Sequence, residues 1–78
     1  MSKFKFKIEA GIAVRNGVRT MLNNSKAKLE YEYDGSHVSI IENKSFLESE
    51  FIIQGFGFPD TDDFNNQINN WFDKLKKI

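Results

Sequence analysis

The chain begins with a long alternation of apolar and polar residues, a pattern that is compatible with few secondary structures. Phe4, Phe6 and Ile8 occupy even positions, the apolar series continues at even positions to Val14, and charged residues stand between them as far as Glu9. A period of two places successive side chains on opposite faces of a strand. The pattern therefore predicts a long first β-strand with one face against a core.

The segment after this strand admits two interpretations. Arg15-Asn16-Gly17 is typical of a three-residue hairpin loop, which would pair Val14 with Val18. The same two valines also fit the 3.6-residue period of a helix over residues 11–24. Glycine in the middle of such a helix disfavours it, so the hairpin is the preferred prediction and the helix is the alternative.

Two further turn sequences divide the middle of the chain. Asp34-Gly35 and Asn43-Lys44 separate alternating segments, so three more strands are predicted between residues 27 and 54. The second of these turns sets Ile40 beside Leu47. Strand behaviour is expected to end before Pro59, because proline cannot donate a hydrogen bond to a sheet.

The last part of the chain has the period of an amphipathic helix. Asp60 is a candidate N-cap, acidic residues lie in the predicted first turn and lysines in the last, an arrangement that suits the helix dipole. Apolar residues recur at spacings of three and four and predict one apolar face. These residues are Phe64, Ile68, Trp71, Phe72, Leu75 and Ile78.

Together these elements predict a single small domain over residues 1–78 in the α+β class. It contains an antiparallel β-meander of about five strands over residues 3–58 and one C-terminal amphipathic helix over residues 61–77, packed on one face of the sheet. A helix of about 17 residues is only about 25 Å long. Because it cannot cover the apolar face of five flat strands, we expect either that the sheet curls around the helix or that a second copy or another partner covers the remainder, which makes a homodimer a candidate state.

The composition excludes several kinds of chemistry. The chain has no cysteine, and His37 is its single histidine, which excludes thiolate and multi-histidine metal sites. No glycine pattern forms a phosphate-binding loop, and no serine stands in a nucleophile elbow. We therefore predict no enzymatic activity and no cofactor. Because the chain has neither a start typical of a signal peptide nor about 20 consecutive apolar residues, we expect a cytoplasmic protein without a membrane span.

Charge is unevenly distributed, although eleven basic and eleven acidic residues balance over the whole chain. Residues 1–28 contain seven basic residues and one acidic residue, whereas residues 29–63 contain nine acidic residues and one basic residue. The basic third favours contacts with phosphate groups and supports nucleic-acid binding as an alternative function. Its residues are Lys3, Lys5, Lys7, Arg15, Arg19, Lys26 and Lys28.

Protein binding is the preferred hypothesis for function. The predicted register places His37 between Glu32 and Glu50, so we expect an acidic surface that favours the protonated imidazole and recognises a basic partner. A Gly-Phe-Gly-Phe segment can present aromatic anchors. We predict a protein–protein interaction module, for which a small inhibitor or immunity-type protein is one form. The candidate binding residues are Glu30, Glu32, His37, Glu48, Glu50, Phe56 and Phe58.

Overall fold

A computed structural model describes residues 2–76, which form three strands and two helices. The strand order is β1-β3-β2, and both neighbouring pairs are antiparallel. The first and second strands therefore run parallel to each other on either side of the third, so the first helix connects them as a split β-α-β unit. The elements are β1 (Ser2–Gly11), α1 (Arg15–Glu32), β2 (His37–Lys44), β3 (Glu48–Phe58) and α2 (Asp62–Lys76).

Both helices pack on the same face of the sheet. The alternation predicted for β1 is present, since Ile8 and Ala10 are buried and lie opposite Phe51 and Ser49 of β3. The other face, called the open face, carries alternate residues of all three strands and is covered by neither helix. The buried apolar core consists of Ile8, Ala10, Val18, Leu22, Val38, Phe51, Ile53, Phe58, Phe64, Ile68, Phe72 and Leu75.

The predicted five-stranded meander is wrong, because α1 replaces its second and third strands. Val18 and Leu22 are buried, and Leu29 packs against the same core. These spacings of four and seven follow the helical period. The period-two pattern farther along was a coincidence, since the side chain of Tyr31 is 90% exposed. Gly17 lies in the first turn of α1, where its low helix propensity has little weight.

The presence of α1 in addition to α2 also removes the reason to expect a largely uncovered apolar sheet. With α1 and α2 on one face, the core-facing residues of the three strands are buried or partly buried. The face left uncovered is the open face, which is polar except for Ile41, Ile52 and Phe56. A partner is therefore not needed to complete the hydrophobic core.

The turn between β2 and β3 lies at Phe46-Leu47 rather than at Asn43-Lys44. The latter two residues continue β2, and Ile40 stands opposite Ile53 instead of Leu47. Turn propensity favoured the wrong pair of residues. The observed turn lengthens the hairpin, so that all eight residues of β2 pair with β3.

The predicted C-terminal helix is present as α2. Its N-cap is Thr61 rather than Asp60, since the Phe64 amide donates to Thr61 Oγ1 at 3.2 Å. The structure describes the helix as far as Lys76, and the predicted end at residue 77 lies outside the described residues.

Gly55 and Gly57 lie within β3, which continues to Phe58 and ends before Pro59, as predicted. Gly55 leaves room for the ring of Phe4, because a Cβ atom at Gly55 would overlap that ring. Gly57 adopts a φ of 78°, a conformation that other residues rarely take.

Packed aromatic rings close one end of the sheet. The ring of Phe58 lies 5.0 Å from that of Phe64 and 5.3 Å from that of Phe4. Tyr33, at the end of α1, adds an edge contact to Phe64 at 5.2 Å. We call these four residues the aromatic end. They join both helices to the sheet through buried apolar contacts.

Candidate protein-binding site

The opposite end of the sheet carries four exposed apolar side chains. The exposed fractions are 53% for Ile12, 38% for Val14, 85% for Phe46 and 65% for Leu47. The first two belong to the connection between β1 and α1, and the other two form the β2–β3 turn. The Ile12 amide donates to the Leu47 carbonyl at 2.8 Å, so the two segments lie side by side. We call these four residues the apolar tip.

Hydrogen bonds hold the β2–β3 turn in place. The Ser45 amide and hydroxyl donate to the Glu48 carbonyl at 2.8 and 2.9 Å. Arg15 Nη1 donates to the Ser45 carbonyl at 2.7 Å and to the Glu48 carbonyl at 3.3 Å. Because Arg15 begins α1, the helix fixes the position of the turn. The apolar tip is therefore presented on an ordered backbone.

Phe46 and Leu47 are unusual residues for a tight hairpin turn. Such turns favour Gly, Asn and Asp, often with positive φ. Neither Phe46 nor Leu47 has a positive φ, and both leave a large apolar side chain in water. Departures from local sequence preference concentrate at functional sites. This turn is therefore the strongest candidate for a binding element.

A second polar network lies beside the turn and joins α1, β2 and β3. Arg19 Nε and Nη2 donate to the two carboxylate oxygens of Glu42, each at 2.6 Å. The buried hydroxyl of Ser49 also donates to Glu42, at 2.6 Å. The Arg19 and Ser49 hydrogen bonds lower the pKa of Glu42 from 4.5 to about 2. This network supports the tip end of the sheet without burying the tip itself.

Three carboxylates lie on the open face next to the apolar tip. Glu9 of β1 stands opposite Glu50 of β3, and Glu48 stands opposite Gly11. Lys7 Nζ lies 3.1 Å from Glu50 Oε2, a contact that lowers the pKa of Glu50 and raises that of Lys7. Glu9 and Glu48 are exposed. We call Glu9, Glu48 and Glu50 the acidic rim.

The predicted partner-binding residues do not form one cluster. Glu48 and Glu50 lie in the acidic rim, beside the apolar tip. His37 and Phe56 form a direct cross-strand pair at the other end of the open face. Phe58 is buried within the aromatic end, so it is not accessible as an anchor.

Glu30 and Glu32 lie on α1, away from the acidic rim. Glu30 Oε2 accepts hydrogen bonds from Lys26 Nζ and from the Val38 amide, each at 2.8 Å, and both contacts lower the pKa of Glu30. The same oxygen lies 3.0 Å from His37 Nδ1. The carboxylate beside His37 is therefore Glu30, and the predicted placement between Glu32 and Glu50 is wrong because the strands on which it depended are not present.

The basic residues of the first third are also dispersed. Four of them have contacts already described, namely Lys7, Arg15, Arg19 and Lys26. Lys3 and Lys5 are exposed at alternate positions of β1, whereas Lys28 is exposed on α1. Since α1 covers the opposite face of the sheet, Lys28 does not extend the basic surface formed by Lys3 and Lys5.

A groove of about 230 Å³ lies between the two helices. Leu29, Phe64 and Trp71 contribute apolar surface to it, and Trp71 Nε1 donates to Ser25 Oγ at 3.0 Å. Residues 2–76 contain no group of three His, Asp or Glu side chains that could hold a metal ion. Neither helix of that range combines the length and apolar composition needed to cross a membrane.

Comparisons with protein-family models, curated proteins and solved structures give no match for this chain. The assignment of a site therefore depends on the chain's own geometry.

The apolar tip is not predicted by the sequence patterns. The alternation places Ile12 and Val14 on the core-facing side of the first strand, and a turn at Asn43-Lys44 places Leu47 opposite Ile40. No sequence signal marks this turn, because no Gly, Asn or Asp stands between Lys44 and Glu48. Such a segment exposes apolar residues if the hairpin turns there.

Proposed function

We propose that this protein is a non-enzymatic protein-binding module that inserts its apolar tip into an apolar cavity of a basic protein partner. The observation that carries the proposal is the exposure of Phe46 and Leu47 on a hydrogen-bonded turn. Ile12 and Val14 extend the apolar surface from the neighbouring segment. A partner surface that covers the tip would remove all four side chains from water.

The energetics of such an insertion favour binding. Complete burial of a Leu or Phe side chain contributes about 1.5–3 kcal/mol. Binding normally loses part of this energy through the ordering of loops and side chains. Here the hydrogen bonds from Arg15 and Ser45 already order the turn. Phe46 and Leu47 therefore have the position expected of binding hot spots.

The acidic rim supports a basic partner. Glu9 and Glu48 are exposed beside the apolar tip, and Lys7 lies against Glu50 on the same face. Lysine or arginine residues around the partner's cavity would complement Glu9 and Glu48. This complementarity should mainly accelerate association and orient the two proteins, and its effect should weaken as salt is added.

The shape of the tip supports inhibition as one form of this function. A projecting two-residue turn fits a concave surface, and enzyme active sites are concave. A basic enzyme whose cleft receives Phe46 and Leu47 would be blocked without any reaction on this chain. The lack of cysteine is typical of proteins in a reducing compartment, and we propose the cytoplasm as the place where binding occurs.

Nucleic-acid binding remains the alternative function. Phe56 is 38% exposed on the open face and lies beside His37, with Lys5 on the same face. One exposed aromatic ring near lysine supplies a single stacking position for a base. Four of the seven basic residues are held in internal contacts, so the protein-binding proposal has the stronger support.

Affinity capture with variants tests the proposal. The immobilised chain is incubated with a nuclease-treated extract of the cells that produce it, beside a Phe46→Ser/Leu47→Ser variant and a Tyr31→Ser control. Tyr31 is a matched control because its side chain is 90% exposed on α1. We expect a protein that binds the wild type and the control but is lost with the tip variant.

Two outcomes would overturn the proposal. The first is capture that does not change in the tip variant. The second is capture that occurs only from a parallel extract without nuclease treatment and depends on Lys3 and Lys5, which would support the nucleic-acid alternative. Direct titration with single-stranded DNA, with and without these lysines, separates the second outcome from the first.

A further inference from the structure

The two edge strands of the sheet differ in their backbone partners. On β2, the Val38 amide donates to Glu30 Oε2, and the Val38 carbonyl accepts from Lys26 Nζ, each at 2.8 Å. These Val38 groups point away from β3, so side chains of α1 occupy positions that another strand would need. This part of the β2 edge is therefore blocked, whereas β1 lies at the opposite edge.

The direction of the β1 backbone follows from its pairing with β3. The Ile12 amide donates to the Leu47 carbonyl and continues the register of that pair. Backbone groups of antiparallel strands alternate between facing the neighbour and facing away. The odd-numbered residues Lys5, Lys7 and Glu9 therefore direct their N–H and C=O groups outward. Such an edge is a template for another strand.

We propose that the outer edge of β1 pairs antiparallel with β1 of a second copy of this chain and joins two sheets into one of six strands. The interface uses Glu9 of the acidic rim but neither Phe46 nor Leu47, so the apolar tip stays accessible in the dimer and the two proposals are tested by different variants. Two-fold symmetry is the usual arrangement for identical subunits, and each contact then occurs twice. The outward backbone groups limit the registers that such a pair can adopt.

Charge selects the register centred on Ile8. In that register Lys7 stands opposite Glu9 of the second copy, and the reciprocal pair forms as well. A register centred on Lys7 would place its two copies face to face, and one centred on Phe6 would pair Lys5 with Lys7. Like charges directly opposite each other destabilise a sheet, whereas opposite charges stabilise it.

The surroundings of Ile8 also suit this register. An open groove of about 320 Å³ lies at the edge and is lined by Lys7, Ile8, Glu9 and Lys76. The groove is at the centre of the proposed interface, where the second strand would lie. On the core-facing side, Phe6 would stand opposite Ala10 of the second copy, which continues the apolar layer.

The lysines of β1 give this edge selectivity. Lysine on an edge strand discourages pairing with unrelated strands. A second copy presents Glu9 opposite Lys7, so the same charges that discourage other strands favour self-association. Lys7 lies 3.1 Å from Glu50, and this contact holds it on the open face where Glu9 of the second copy would also lie.

Measurements on the full chain test the interface. Sedimentation equilibrium should give twice the chain mass of 9.1 kDa at high concentration and the single mass on dilution. Hydrogen exchange monitored by NMR should show protection of the Lys5, Lys7 and Glu9 amides in the dimer only. A single mass at every concentration, or amides that exchange freely in the dimer, would overturn the proposal.

Charge exchange tests the register itself. Lys7→Glu and Glu9→Lys should each weaken the dimer by about tenfold or more, since each creates two like-charge pairs. An equal mixture of the two variants should form a heterodimer, because every facing pair is then opposite in charge. Circular dichroism checks that each variant is folded.

Two results of these experiments would contradict the proposed edge interface. If the mixture stays monomeric while both variants are folded, the Ile8 register is wrong. If the dimer is insensitive to both charge changes but is lost with Phe46→Ser/Leu47→Ser, the chain associates through its apolar tip instead. Either result contradicts the proposed edge interface.

Discussion

The two ends of the sheet both carry large apolar side chains, but they are stabilised by different forces. At the aromatic end, Phe58 and Phe64 are buried and stacked at 5.0 Å. At the tip end, Phe46 and Leu47 are exposed, and the backbone that carries them is held by Arg15 and Ser45. Polar contacts can therefore fix a segment while its apolar side chains stay available to a partner.

The largest expected effect is a difference in unfolding free energy between a variant at the aromatic end and a variant at the apolar tip. Phe58→Ala removes a buried ring from the aromatic end and should cost about 3–5 kcal/mol of unfolding free energy. Phe46→Ala removes an exposed ring and should change stability by about 0.5 kcal/mol or less. Urea denaturation of both variants measures the difference. Equal losses would mean that Phe46 contributes to the folded core.

A smaller loss is expected at the polar network beside the tip. Glu42→Ala removes the acceptor of the buried Ser49 hydroxyl. A buried donor without a partner costs about 1–3 kcal/mol. Glu48→Ala is the matched control, since its side chain is exposed. If both variants have the stability of the wild type in urea denaturation, the network does not support the tip end.

The same network predicts that the stability of the fold depends on pH. The folded-state pKa of Glu42 is about 2, below its ordinary value of 4.5. Its ionised form therefore stabilises the fold above pH 4.5, and this contribution is lost as the pH falls from 4.5 through about 2. The difference in unfolding free energy between wild type and Glu42→Gln should shrink over that range. A difference independent of pH would contradict the lowered pKa.

The smallest expected effect is local. Arg15→Ala removes the two hydrogen bonds from the guanidinium to the β2–β3 turn. We expect faster hydrogen exchange at the Ser45 amide, with little change at the Phe58 amide. NMR exchange rates at the two positions check this, and unchanged exchange at Ser45 would show that the turn is held without Arg15.

Sequence patterns predicted an element correctly where its own first and last turns contain residues typical of helix ends. For α2, Asp62 and Asp63 lie in the first turn and lysines in the last, and the helix was predicted. The start of α1 has no side-chain cap at Val14, and the helix has neither acidic residues in its first turn nor basic residues in its last. Asn16-Gly17 suggested a turn instead. The helix is fixed by packing of Val18 and Leu22 on the sheet, a contact between distant segments.

The candidate site was predictable only in part for the same reason. Charge alone drew attention to Glu48 and Glu50, which lie in the acidic rim. The exposure of Phe46 and Leu47 depends on the register between β2 and β3 and on the position of Arg15. Turn propensity placed the hairpin at Asn43-Lys44, so the two residues were assigned to a strand.

Photo-crosslinking in the cells that produce the protein tests the binding proposal most directly. A photoreactive phenylalanine analogue replaces Phe46, and the same analogue at Tyr31 is the control, since both side chains are largely exposed. We predict a crosslink from position 46 to one basic protein, none to that protein from position 31, and a weaker product with Glu48→Gln. No such product, a product of equal intensity from both positions, or a product only with a second copy of the chain would contradict a partner bound at the apolar tip.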